Sequence, residues 1–330
     1  MQAEVYEYFL QNQKELLICE DDKEAAACEQ VLKFMGYAAF CLPDFRASFG
    51  EDLRSYMGEL AGISTALSAF YKASGKKILI SPVRTILNKL PAASHLRPLN
   101  LKFGEELNLS ELKDEILRLG YDVRDIVESM GEVSFRGEII DIFSVGSESA
   151  VRILLDGETV ESIRRFDVAT QKSEKDELSQ AEIAPFLANL SEDEFESVSE
   201  KISRADSDAL ARDLGSLGFW FIEGFVDYTE AFDCVLLHEI KKDEIFSERN
   251  LDFLDAIEVL PAARKFKDLA VTPSQEFFEF HRSEAITLIA RNNALLAPFD
   301  LGGFSNIEIL REDFVVNLIS AERIIISLNK

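Results

Sequence analysis

Four arginines stand inside or beside short apolar runs in the middle of the chain. Arg136 follows Phe135, Arg152 lies between Val151 and Ile153, and Arg164-Arg165 precede Phe166-Asp167. A guanidinium carries a planar fork of donors that meets a carboxylate through two parallel bonds. Within a strand it either pairs with an acid on the same sheet face or presents a charged patch to a partner. If the flanking strands pair as consecutive hairpins, Arg136, Arg152 and Glu161 converge. A second set of residues with chemical potential is Glu20-Asp21-Asp22, inside "LLICEDDKEAAACEQVLKFMGY", residues 16–37. This reads as strand, tight loop and helix. Such a junction holds phosphate when it reads G-x-x-x-x-G-K-[ST], because glycines admit backbone amides and the lysine neutralises charge. Cys19 to Ala27 instead offers no glycine, one lysine, and the carboxylates Glu20, Asp21, Asp22 and Glu24. Acids at a helix N-terminus satisfy its dipole themselves and repel phosphate. Gly75-Lys76 is followed by Lys77 and precedes a strand, so it is not a phosphate loop either.

Other chemistries find less support. Cys19, Cys28, Cys41 and Cys234 match no zinc or CxxC spacing and read as inert thiols in a reducing compartment. His95, His238 and His281 are far apart, so a histidine site needs tertiary assembly. Paired acids such as Glu20/Asp22 or Asp252/Asp255 could serve acid–base or metal chemistry, but among 60 acidic residues such pairs arise by chance. The aromatic run Phe219-Trp220-Phe221, with Phe225, Tyr228 and Phe232, could stack bases. It has almost no interleaved cations and reads as core.

The elements that must position these residues fall into three segments. Residues 1–98 alternate helix and strand, "EVYEYFLQNQK", "ELLIC", "AAFCL" and "KKILISP" among them, which implies a mainly parallel sheet. Pro91 and Pro98 mark a boundary. Residues 99–187 open with an amphipathic helix in "NLSELKDEILRLGY", with Ser110 as the expected N-cap. Short extended runs follow: "GEVSFRG", "EIIDIFSV", "AVRILLD" and "TVESIRRFD". Gly137, Gly146-Ser147 and Asp156-Gly157 separate them as turns, the last a hairpin signal. This predicts a small α+β domain with an antiparallel sheet. Residues 188–330 mix a helix over "SEDEFESVSEKISRADSDALARDLG" with strands in "CVLLHEI", "AITLIAR", "NIEIL" and "FVVNLI".

Composition bounds the role. The 330 residues carry a formal charge of −25, which disfavours duplex DNA as a primary ligand while suiting a basic protein partner. No apolar run is long enough to span a bilayer, and the N-terminus is not a secretory signal, so a cytoplasmic protein is expected. The chain stops at "AERIIISLNK", a β-prone run with no polar tail, as the front part of a longer protein would.

One stretch is specific enough to carry a resemblance. "LGYDVRDIVESMGEVSFRGEIIDIFSVGSESAVRILLDGETVESIRRFDVATQKS", residues 119–173, resembles the second domain of bacterial transcription-repair-coupling factors and its counterpart in the excinuclease subunit UvrB. The GSE, RRFD and TQKS pieces favour the coupling factors. Weaker similarity extends through "LPDFRASFGED", "KKILISPVRTILNKLP" and the aromatic run. The resemblance implies an α/β, UvrB-like three-domain module: a degenerate P-loop-type domain, a small antiparallel domain that binds UvrA, and a third mixed α/β domain. It implies no catalysis and no cofactor in this chain, ATP and magnesium belonging to motor domains elsewhere in the family. The task implied is recruitment of UvrA, the damage-recognition subunit of excision repair, to stalled RNA polymerase. Polymerase and DNA would be held by domains absent here, and a C-terminal domain of the full-length protein would mask the same surface. By motif, Arg136 and Arg152 match the family's partner-contacting arginines. Asp156 replaces a family aromatic and Ser144 a family proline; Glu158 and Glu161 join the patch by position only. The alternative is a UvrB-type or helicase-type ATPase fragment, for which the loop at Glu20–Asp22 is the discriminating feature.

Overall fold

The computed structural model describes residues 1–205, 214–240 and 251–329. Two compact units emerge, both discontinuous in sequence. One gathers residues 1–44, 73–86 and 229–330; the other gathers residues 45–72 and 87–228. The expected boundaries near 98 and 187 therefore both fall inside the second unit, and the 188–330 segment is shared between the two. The cause is strand pairing between distant residues, which local composition does not report.

In the first unit four strands form a parallel sheet in the order Cys234–Leu236, Leu16–Cys19, Lys77–Pro82, Ala38–Cys41. Leu16 stands opposite Cys234 on one side and Leu79 on the other. The strand Leu16–Cys19 and residues Ile78, Leu79 and Ile80 are fully buried, as an unbroken apolar strand covered on both faces must be. The helix Asp22–Phe34 makes the crossover from the first strand to Ala38–Cys41 and lays Ala25, Cys28, Val31 and Leu32 on the sheet. A five-stranded sheet completes the unit, with Ala285–Ile289 parallel to both Arg323–Ser327 and Ile307–Leu310. Ile289, Leu318 and Ile325 join the core of the first sheet, while Ile286, Leu288, Ile324, Ile326 and Phe278 form a separate core on the other face.

The second unit is built on a six-stranded sheet. Its order is Lys172–Glu177, Thr159–Asp167, Ala150–Asp156, Ile139–Ile142, Glu132–Arg136, Asp122–Val123. Neighbours are antiparallel except the last pair. The helix Leu109–Arg118 precedes it, capped by Asn108, whose side-chain oxygen accepts from Ser110 N and Glu111 N. Ser110, expected as the cap, is the second residue of the helix. Of the helix expected through "SEDEFESVSEKISRADSDALARDLG", Glu192–Ala205 is helical and Leu214–Gly215 open a second helix, Leu214–Phe221; residues 206–213 lie outside the described ones. The aromatic run packs inward: Phe219 and Phe225 are buried, ring to ring at 5.2 Å, and Phe45 meets both Phe219 and Trp220. Tyr228, fully buried, donates to the Pro91 carbonyl. Among the described residues no helix is long and apolar enough to cross a membrane.

Candidate functional site

Strand alternation divides the six-stranded sheet into two unlike faces. Val133, Ile140, Ile142, Ile153, Leu155, Val160 and Ile163 are buried on one. The other carries a polar row fixed by register: Ser134 opposite Asp141, Asp141 opposite Arg152, Arg152 opposite Arg164. Arg136, two residues beyond Ser134, shares that face.

Asp141 is the centre of this row. Its carboxylate is completely buried and serves two arginines. Arg152 binds it through both arms of the fork, Nε to Oδ1 at 2.6 Å and Nη2 to Oδ2 at 2.8 Å. Arg136 donates through Nη2 to the same Oδ2. Donating to the Asp141 carboxylate holds the Arg152 guanidinium above its ordinary pKa against the cost of burial. Arg152 is further fixed by Nη1 donating to the Gln171 carbonyl at 3.2 Å, and it lies 4.8 Å over the Phe166 ring. Gln171 stands at positive φ and ties the neighbouring loop down, its Nε2 donating to the carbonyls of Val127 and Val168. Val127 packs beneath that loop against Ala150 and Phe166, while Ile126 and Met130 stay exposed. Two guanidiniums on one carboxylate leave a surplus positive charge. The Arg136 side chain, 42% exposed against 21% for Arg152, presents it to solvent.

The other expected residues are placed differently. Asp156 and Glu158 flank Gly157 at the tip of the next hairpin, both exposed. Gly157 sits at φ +62°, as the first central residue of a tight hairpin turn requires. Glu161 does not converge with the arginines. The register slips where Leu154 faces Ser162 but Leu155 faces Val160, leaving Glu161 as the extra residue of a bulge, exposed to solvent. Asp141 takes the place expected for it. Arg164 is engaged with Glu177 at 2.6 Å. Asp141 had a sequence signal: an acid inside the apolar run Ile139-Ile140-Asp141-Ile142 needs a cation beside it.

The acidic loop after the Leu16–Cys19 strand is closed by its own side chains. Asp21 caps the helix by accepting from Glu24 N at 2.9 Å, and the Glu24 carboxylate reaches back to Glu20 N at 2.9 Å, a reciprocal capping arrangement. Asp44 N donates to Asp22 Oδ1 at 2.7 Å. The amides of Glu20, Glu24 and Asp44 are thus already paired with carboxylates. His238, just beyond the Cys234–Leu236 strand, sets Nε2 2.9 Å from Glu24. Burial opposes charge on His238, but the Glu239 carbonyl and the Glu24 carboxylate outweigh it and hold its pKa above the ordinary value.

Residues 99–187 match the family described as the UvrB interaction domain. The whole chain is similar to proteins described as transcription-repair-coupling factor. Identity is 31% to that of Helicobacter pylori strain 26695 and 32% to that of strain J99, each match covering 96% of this chain and 33% of the relative. The counterpart in Myxococcus xanthus is 29% identical over 46% of this chain and 13% of its own length. The chain thus spans about a third of the length of the Helicobacter relatives.

Proposed function

We propose that the chain is the UvrB-like module of a transcription-repair-coupling factor, a non-catalytic docking module recruiting UvrA to stalled RNA polymerase; the UvrB interaction domain match and the similarity along 96% of the chain support this. The observation that carries this reading is the Arg136–Asp141–Arg152 cluster. A buried carboxylate holds two guanidiniums on a partner-accessible sheet face, so less side-chain entropy is lost when a partner's acid arrives. Arg136 keeps free donors for such an acid. Ile126 and Met130, exposed on the loop that Val127 anchors, offer the apolar contact that Asp156 no longer provides in place of the family aromatic. Asp156 and Glu158 add an acidic rim suited to a lysine or arginine across the interface. The same face would be the one covered by the C-terminal domain of the full-length protein, with RNA polymerase and DNA held by parts outside this chain.

Titration of the chain with purified UvrA in a calorimeter tests the proposal. Arg136→Ala costs about 2–5 kcal/mol of binding if its partner charge is desolvated. Unchanged affinity in a folded Arg136→Ala/Arg152→Ala variant sinks the assignment. Saturable binding of ATP with magnesium to the chain itself would favour the ATPase alternative instead.

A further inference from the structure

Glu20, Glu24 and His238 form a cluster that the docking reading leaves unused. Glu20 follows the first strand directly, Glu24 lies in the first turn of the next helix, and His238 follows the strand paired beside the first. One donor atom from each lies within 4.8 Å of the others. All three residues are partly buried yet reachable from solvent. They sit at the carboxyl ends of two adjacent parallel strands, where open α/β sheets place their ligands.

The orientation of His238 is the telling feature. Its Nδ1 lies 3.0 Å from the Glu239 carbonyl oxygen, which accepts from the ring when Nδ1 carries the proton. In that tautomer the neutral ring turns its Nε2 lone pair toward the carboxylates, 2.9 and 3.0 Å from the Glu24 oxygens. A backbone carbonyl on one ring nitrogen, with the other aimed at the binding position, is how metal-ligating histidines are commonly set. Glu24 is itself held in place by the Glu20 amide.

We propose that Glu20, Glu24 and His238 bind a divalent transition metal, zinc being the best match. One imidazole nitrogen and two carboxylate oxygens suit Zn²⁺, Co²⁺ or Mn²⁺, whereas calcium and magnesium prefer oxygen alone. Three protein donors leave a fourth position for water. The ion offsets two carboxylates and ties together strand ends whose ligands lie 214 residues apart. This answers why a phosphate-type junction is lined with acids: the loop accepts a cation.

Zinc chloride titrated into the intact chain, followed by calorimetry, tests this. One zinc per chain is expected with micromolar or tighter affinity, with a rise in melting temperature. Glu20→Gln, which leaves the capping bonds intact, should weaken binding at least tenfold, and so should His238→Ala. Cys41→Ser should leave affinity unchanged, since the thiols take no part. Cobalt should give the visible absorption of a low-symmetry nitrogen–oxygen site, lost in His238→Ala. Absence of saturable zinc binding overturns the proposal. So does zinc affinity unaltered by both Glu20→Gln and His238→Ala, or abolished by Cys41→Ser.

Discussion

Asp141 and its two arginines differ in what each can lose. Arg136 is nearly half exposed, so its bond to Asp141 is screened by solvent, while Asp141 has no water to fall back on. Arg136→Ala is expected to cost under about 1 kcal/mol of folding stability. Asp141→Asn keeps the shape but sets two guanidiniums against a neutral amide, with an expected loss of about 1.5–3 kcal/mol. Urea denaturation of the two variants checks the order; equal losses would mean that the buried carboxylate does not organise the row. The asymmetry makes Arg136→Ala the cleaner probe of partner binding, since a weakened interaction there cannot be blamed on a damaged fold. Arg152, tied to Asp141, Gln171 and the Phe166 ring, is as much a structural residue as a contact.

At the scale of elements, the site depends on how the sheet meets its surroundings. Gly131 begins the turn into the Glu132–Arg136 strand at φ +85°, and a Cβ there would stand 2.6 Å from the Phe186 ring. Gly131→Ala is therefore expected to destabilise by about 1–3 kcal/mol, with the thermal midpoint as readout. Tyr121 links the Leu109–Arg118 helix to the sheet: its hydroxyl donates to the Ala184 carbonyl at 2.7 Å and accepts from Val145 N. Burial pushes its pKa up to about 12, against the opposing bonds of Ser144 and Val145. A folded pKa above the unfolded one means the native state keeps its proton longer. The stability so contributed is full below pH about 10 and lost as pH rises through about 12. Stability measured across that window should fall less steeply in Tyr121→Phe than in the parent chain. Identical alkaline profiles would show that Tyr121 is not the titrating group.

For the whole molecule, the charge of −25 sets which partners can approach. Such a charge disfavours duplex DNA, since phosphate contacts to cationic groups supply most of non-specific DNA affinity. Fluorescence anisotropy with a random duplex at physiological salt should show no binding; a saturating isotherm would reveal a cationic surface that the net charge conceals. Both compact units are closed by residues distant in sequence. Cys234–Leu236 completes the sheet begun by Leu16–Cys19, and residues 45–72 belong with 87–228.

Sequence alone determined the alternation of strands and helices, the arginine-bearing sheet, the acidic loop and the family. Each of these is written in short-range periodicity or in a contiguous motif. Which acid meets which base was decided by tertiary structure. Arg152 meets Asp141 on one neighbouring strand and faces Arg164 on the other, while Glu161 stands as the extra residue of a bulge beside Leu154 and Leu155; periodicity carries no signal for which strands pair or in what register. His238 reaches Glu24 because two strands far apart in the chain pair as neighbours. Local propensity specifies the face a side chain occupies; strand pairing, which depends on the energy of the whole core, specifies what stands beside it.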